Sequence, residues 1–212
     1  MEVGPRLGVH VVTSVPLRKQ PVQRRSAKRV EQMLKACAAL IDELGYDGVT
    51  TTLIAERAGV AVGSLYQFFP DKRAVVQALT KRNLDYFTAE IDRRLDWDHL
   101  EHWWHGVDTI IDIYVEMYRE IPGFARVRFG DVIDLRFIDD ERDNNTVIAD
   151  QIAGLVAQKV NVPVESLYRT ITIASDIGDT ILALAFRRKL FGEQDMIDEA
   201  KRVVRAYLAR EF

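Results

Sequence analysis

The chain has 212 residues, of which 48% are hydrophobic and 29% charged, with a net charge of −3. That is the profile of a globular protein with one large domain, or a small domain joined to a larger one. No apolar run approaches the roughly 20 residues a membrane helix needs, and the single cysteine, Cys37, excludes an intramolecular disulfide. The chain therefore reads as cytoplasmic, with no membrane partner.

Charge is distributed unevenly. The first thirty residues hold Arg6, Arg18, Lys19, Arg24, Arg25, Lys28 and Arg29 against one acid, Glu2, a charge of +6 that leaves −9 for the rest. A basic end on an acidic body meets a polyanion with that end only. Residues 1–24 carry proline, glycine and bases without periodicity and read as a flexible arm.

From Ser26 a helical stripe begins: Val30, Met33, Leu34, Cys37, Leu40, Ile41 and Leu44. Gly45 is placed to end it in a left-handed turn. Thr50 is placed to cap a second helix carrying Leu53, Ile54, Ala55 and Ala58, and Gly59 to stop it. A third, short helix spans about Val62 to Phe69, with Leu65 and Phe69 facing the core. Pro70 bars its continuation, and Asp71 can cap a fourth helix carrying Val75, Val76, Leu79, Leu84 and Phe87.

The chain stays helical beyond Trp97. Residues 99–121 read as one long helix stopped by Pro122, followed by a short piece, an acid-rich stretch from Asp131 to Asn145, and an amphipathic segment. A helix from Val164 and a final helix with Ile197, Val203, Val204, Tyr207 and Leu208 complete the chain. The expectation is an all-α protein of about nine helices.

Two short helices joined by a glycine turn make a helix-turn-helix, whose second helix fits the major groove. On that helix Val62, Ser64 and Gln67 lie towards the open side. Ser64 and Gln67 can bond base edges or backbone, and Val62 can meet a thymine methyl. Tyr66 can offer its hydroxyl to a phosphate, and Lys72 a charge to the flanking phosphate. As geometry alone, such hairpins are often purely structural.

The stretch "GYDGVTTTLIAERAGVAVGSLYQFFPDKRAVVQAL", residues 45–79, resembles the DNA-binding domain of the TetR family of bacterial transcriptional regulators. Gly45-Tyr46, Thr50, Ile54-Ala55, Ala58-Gly59-Val60, Gly63-Ser64-Leu65-Tyr66, Phe69 and Lys72 stand at the family's spacing. The resemblance implies a three-helix DNA-binding domain (25–72) after the arm, then a helical ligand-binding and dimerisation domain (73–212). It implies backbone contacts from Thr50 and Tyr66, and phosphate or base contacts from Thr51 and Thr52. It also implies recognition by Val62, Ser64 and Gln67, and phosphate binding by Lys72. Arg24, Arg25, Lys28 and Arg29 are candidates for added phosphate contacts. Ala61 departs from the family, standing where a serine cap is common.

The same resemblance implies a homodimer on operator DNA, released by a small-molecule effector, with no cofactor and no catalysis. Ile171, Ala174, Gly178, Ile181, Leu182 and Ala185, with Val203, Val204, Tyr207 and Leu208, are the expected dimer face. Ala174 and Gly178, four apart, would let a second helix approach closely. Trp103, Trp104, Tyr114, Met117, Tyr118, Phe124, Phe129 and Asp176 are the expected effector chamber. Two other readings stand beside this one. One is a helical interaction protein that has lost DNA binding, which Ala61 and Val62 permit. The other is a metal-dependent sensor or enzyme built on His99, His102 and His105. On a helix these three fall at i, i+3 and i+6, and the outer pair diverges by about 120°.

Overall fold

The computed structural model describes residues 24–96, 99–127, 149–150, 152–154, 156–157, 163–187, 189 and 191–210. The basic arm before Arg24, Phe129 and the acidic stretch lie outside the described residues. Within them every regular element is helical: α1 (Arg24–Gly48), α2 (Thr51–Arg57), α3 (Val62–Phe68), α4 (Lys72–Arg94), α5 (Trp103–Glu120), α6 (Val164–Phe186) and α7 (Gln194–Leu208), with helical pieces between 149 and 157.

The local signals act where the sequence places them. Gly45 breaks α1 at φ 71° and ψ 169°, a region essentially reserved for glycine that costs another residue about 1–3 kcal/mol. Thr50 Oγ1 accepts the Leu53 N–H at 3.2 Å and caps α2. Gly59 turns at φ 66°. The Asp71 carboxylate accepts the Ala74 N–H at 2.8 Å and caps α4. Ala61 gives α3 no side-chain cap.

Leu44 is a correction: it is 50% exposed rather than part of the buried stripe. α1 kinks at Gly45, directly after Leu44, and Gly48 lies so close that a Cβ there would be 2.9 Å from Leu44 Cβ. The long helix also starts late. His99 sits in a separate turn, His102 is the residue before α5, and the helix begins at Trp103.

Two apolar cores form. The first joins Met33, Leu34, Cys37 and Ile41 of α1, Ile54 of α2, Leu65, Phe68 and Phe69 around α3, and Ala74 to Leu79 of α4. The second joins Leu84, Phe87 and Ile91 of α4 to α5, α6, α7 and Ala149, Ile152, Ala153 and Ala157. They meet inside α4. A second link crosses between them at residues 122–127. Phe124 is buried in the second core, and Val127 in the first. Gly123, at φ 79°, lies so close to α1 that an added Cβ would sit 2.8 Å from the Ala38 carbonyl oxygen.

α6 and α7 pack against each other. A Cβ on Gly178 would be 3.5 Å from Val204 Cγ2. This bears on the expected dimer face, most of which also packs within the chain. Ile171, Ala174, Gly178, Leu182, Ala185, Val204 and Leu208 are covered by the chain's own helices. Small residues on α6 serve an approach within the chain. Ile181, Val203 and Tyr207 are half-buried and remain partly open.

Candidate nucleic-acid interface

α3 is seven residues long and too short to hold itself as a helix. Its inner face does the holding: Leu65 and Phe69 are fully buried and Phe68 is 5% exposed. Its other side stays open. Tyr66 and Gln67 are exposed, and Val62 and Ser64 half-buried. Gly63 is exposed and nothing lies within 4 Å of where its Cβ would be. That absence of bulk permits close approach of a phosphate backbone.

Tyr66 is not a free-swinging ring. Its hydroxyl and Thr51 Oγ1 are 3.0 Å apart, so the start of α2 fixes the phenol on α3. Thr50 uses its side chain for the cap, and Thr52 is exposed beside it. Behind this face Arg57 grips Glu43 with two bonds of 2.8 Å, tying α2 to α1. That pairing raises the guanidinium pKa and lowers the carboxyl's.

Lys72, the expected phosphate-binding lysine, has partners within the chain. It is half-buried, donates to the Tyr46 carbonyl oxygen at 3.0 Å, and lies 4.3 Å from the centre of the Tyr46 ring. Arg25, Lys28 and Arg29 are exposed along the start of α1. Arg24 opens that helix.

The expected effector residues separate into two groups. Tyr114, Met117, Tyr118 and Phe124 are buried together. Tyr114 meets Tyr118 and Phe124 edge-on, at ring-centre distances of 5.6 and 5.2 Å, and Tyr118 stacks on Phe186 at 4.2 Å. The Tyr114 hydroxyl donates to Asp179 Oδ1 at 2.8 Å. Asp179, not Asp176, therefore serves this cluster. Asp176 lies exposed on α6, a correction that follows from the three-residue step turning it about 60° away. Trp103 and Trp104 stand apart from this cluster. They sit at the opening of α5, eleven and ten residues before Tyr114, or about 15 Å along the axis. Trp103 is 37% exposed. Trp104 stacks on His102 at 4.1 Å and meets His105 edge-on at 6.0 Å. His99 pairs with Asp96 at 2.9 Å instead. Among the described residues no three ligand-type side chains gather to hold a metal.

Two partnerships escape a sequence reading. Tyr46 and Lys72 are 26 residues apart, and Tyr114 and Asp179 65 apart. A further network had a readable sign: acids at Asp108, Asp112 and Glu116 repeat every four residues on α5. They face Arg205 and Lys201 of α7 and Arg94 of α4.

Comparison with known proteins decides the family. Residues 33–79 match the model of the bacterial regulatory proteins of the tetR family, and residues 101–212 that of the tetracyclin repressor-like C-terminal domain. The chain belongs to the TetR family of transcriptional regulators. A solved TetR-family transcriptional regulator from Streptomyces coelicolor is similar at 33% identity and a TM-score of 0.75, over 87% of this chain and 99% of that one. The HTH-type transcriptional regulator YvdT of Bacillus subtilis is 29% identical over 101 residues, 46% of this chain. The nucleoid occlusion factor SlmA of Haemophilus ducreyi is 29% identical over 149 residues, 69% of this chain. The match spans about half the length of YvdT (51%) and 70% of SlmA. The side of α3 that carries Gly63, Tyr66 and Gln67 is the side this fold leaves uncovered. No helix among the described residues is long and apolar enough to cross a membrane.

Proposed function

We propose that this TetR-family regulator is a cytoplasmic repressor that binds a palindromic operator as a homodimer and is released by a small-molecule effector. In this reading residues 25–72 touch DNA and 73–212 dimerise and hold the effector; no catalytic role is proposed. The observation that carries it is the exposed pair Tyr66 and Gln67 on a helix whose opposite face is sunk in the core. Gln67 and Ser64 supply hydrogen bonds for base edges. Tyr66, Thr51, Thr52, Lys72, Arg25 and Lys28 supply phosphate contacts.

One such module makes few base contacts, so two copies at a spacing of about 34–36 Å give a readable site. The outer side of α6 supports the pairing. Ile173, Ile177 and Ile181 are half-buried at four-residue steps, and Leu184 is 40% exposed. Val203 and Tyr207 of α7 are half-buried as well. The aromatic cluster around Tyr114 and Asp179 is the effector region in this reading. An effector that favours a non-binding spacing of the two α3 helices weakens operator affinity only by its differential affinity for the two states. Each tenfold of release needs about 1.4 kcal/mol of that difference.

Selection of bound duplexes from a random pool tests this. The expected result is paired, inverted half-sites whose sequence preference shifts in Gln67→Ala. A pool that returns no enriched site from the folded dimer would favour the reading in which DNA binding is lost.

A further inference from the structure

We propose that Tyr46 is a positioning residue for DNA binding: its ring and its carbonyl hold the Lys72 ammonium where a phosphate can take the remaining charge. The inference rests on the DNA-binding reading above, and assigns a role to a residue that reading leaves unused.

The placement begins with Gly45. The non-helical backbone there, at φ 71° and ψ 169°, kinks α1 and redirects its last residues, Tyr46 to Gly48. Tyr46 is half-buried against the first core, so its ring is held from behind. Its carbonyl is one of the last of α1; it accepts the Val49 N–H at 3.3 Å and, as an oxygen with two lone pairs, can take a second donor. Lys72 opens α4, directly after the Asp71 cap, and its stem is half-buried. The ammonium therefore arrives from a fixed backbone. One of its three N–H groups goes to the Tyr46 oxygen at 3.0 Å, and the ring centre lies 4.3 Å away.

Both contacts suit a cation, and neither cancels its charge. A carbonyl and an aromatic face carry no net charge, unlike a carboxylate partner. The ammonium keeps a full positive charge and further N–H donors, while losing the rotamer freedom that a surface lysine otherwise gives up on binding. Aromatic contact with a cation is worth more as it is desolvated. This is an arrangement for presenting a charge at a defined point beside α3.

Ring and carbonyl are separable by mutation. Tyr46→Leu removes the ring and keeps the carbonyl; Tyr46→Phe keeps both. Binding of mixed-sequence duplex DNA across a salt series is the readout, because phosphate contacts are sequence-independent. Lys72→Met is expected to weaken binding and to lower the salt slope by about 0.9 for each phosphate left without its cation. Tyr46→Leu is expected to weaken binding about threefold to tenfold, Tyr46→Phe to bind like wild type, and Tyr46→Leu to have no further effect in the Lys72→Met background. Melting curves of each variant keep folding defects apart from binding defects. The proposal is overturned if Tyr46→Leu weakens binding equally with and without Lys72. It is equally overturned if Lys72→Met leaves affinity and slope unchanged, which would make the lysine a helix-end brace only. Wild-type protein that fails to bind the duplex even at low salt would overturn the DNA-binding reading as well; additive losses in a protein that does bind would overturn this inference alone.

Discussion

Thr50 stabilises α2 through a single hydrogen bond to Leu53, and α2 has only seven residues in which to recover from its removal. Thr50→Ala is expected to destabilise the fold by about 1 kcal/mol, a typical cost for removing a cap. Thermal unfolding measures it, and an unchanged midpoint would show that packing against α1 suffices. Cys37 makes the opposite kind of claim. It is fully buried, and burial pushes its thiol up to about 12. The thiol form, which is unreactive, therefore dominates at pH 8.5 in the native state. Alkylation by iodoacetamide is expected to be slow and to follow unfolding, rising steeply in denaturant. Rapid labelling of native protein would contradict the burial.

At the scale of elements, α5 works as a charged spine. Arg94 of α4 bonds Glu90 at 2.8 Å and Glu116 at 2.8 and 2.5 Å, while Asp112 and Asp108 reach Lys201 and Arg205 of α7. The hydrogen bonds from Arg93 and Arg94 hold the Glu90 carboxyl down at about 2, and Arg94 lowers that of Glu116. A carboxyl whose pKa falls on folding adds stability above its unfolded value, near 4.3 for glutamate, and loses it as pH drops through the folded value. Glu116→Gln is therefore expected to lower stability at pH 7, with the difference from wild type shrinking as pH falls below the unfolded value of about 4.3. The pair is partly solvated, so the difference at pH 7 is at most about 1 kcal/mol. Denaturant titrations across that range provide the check, and a gap that persists at low pH would rule out charge as its cause. The spine also shows why some features were legible in the sequence and others not. Caps and turns act within four residues, so Thr50, Gly59 and Asp71 could be read directly. The neighbour of the α6 face was not legible, because Ala174 and Gly178 permit close packing without naming it; at Gly178 Val204 of the same chain supplies it. Tyr46 and Asp179 gain their roles from residues far along the chain, which no local pattern encodes. The late start of α5 has no such account; no side-chain cap marks Trp103 as its first residue.

At the scale of the whole molecule, two surfaces decide whether a DNA-binding unit and an effector body act as one. The outer ridge of α6 is the first. Ile177→Glu with Leu184→Arg puts charge on residues that lie outside the fully buried core. Light scattering is expected to report a monomer whose operator affinity falls by more than tenfold; a persistent dimer would move the interface elsewhere. The second surface is the crossing at residues 122–127. It anchors Phe124 in one core and Val127 in the other, and Gly123 lies directly on the α1 backbone at Ala38. Together with α4 it gives the second core two holds on the first, and in the proposed reading it is a route by which a shift in the aromatic cluster would reach α1 without passing along α4. Gly123→Ala tests that hold twice over. Its φ of 79° disfavours any side chain, and the new Cβ would lie 2.8 Å from a backbone oxygen that cannot swing aside as a flexible side chain would. The backbone conformation alone costs about 1–2 kcal/mol, and the overlap adds to it. Hydrogen exchange should then show faster opening at 122–127 and along the middle of α1 around Ala38, with the ends of α6 and α7 unchanged. Exchange that rises uniformly would mean the substitution weakens the fold as a whole, and the crossing would lose its claim to be a distinct link between the two cores.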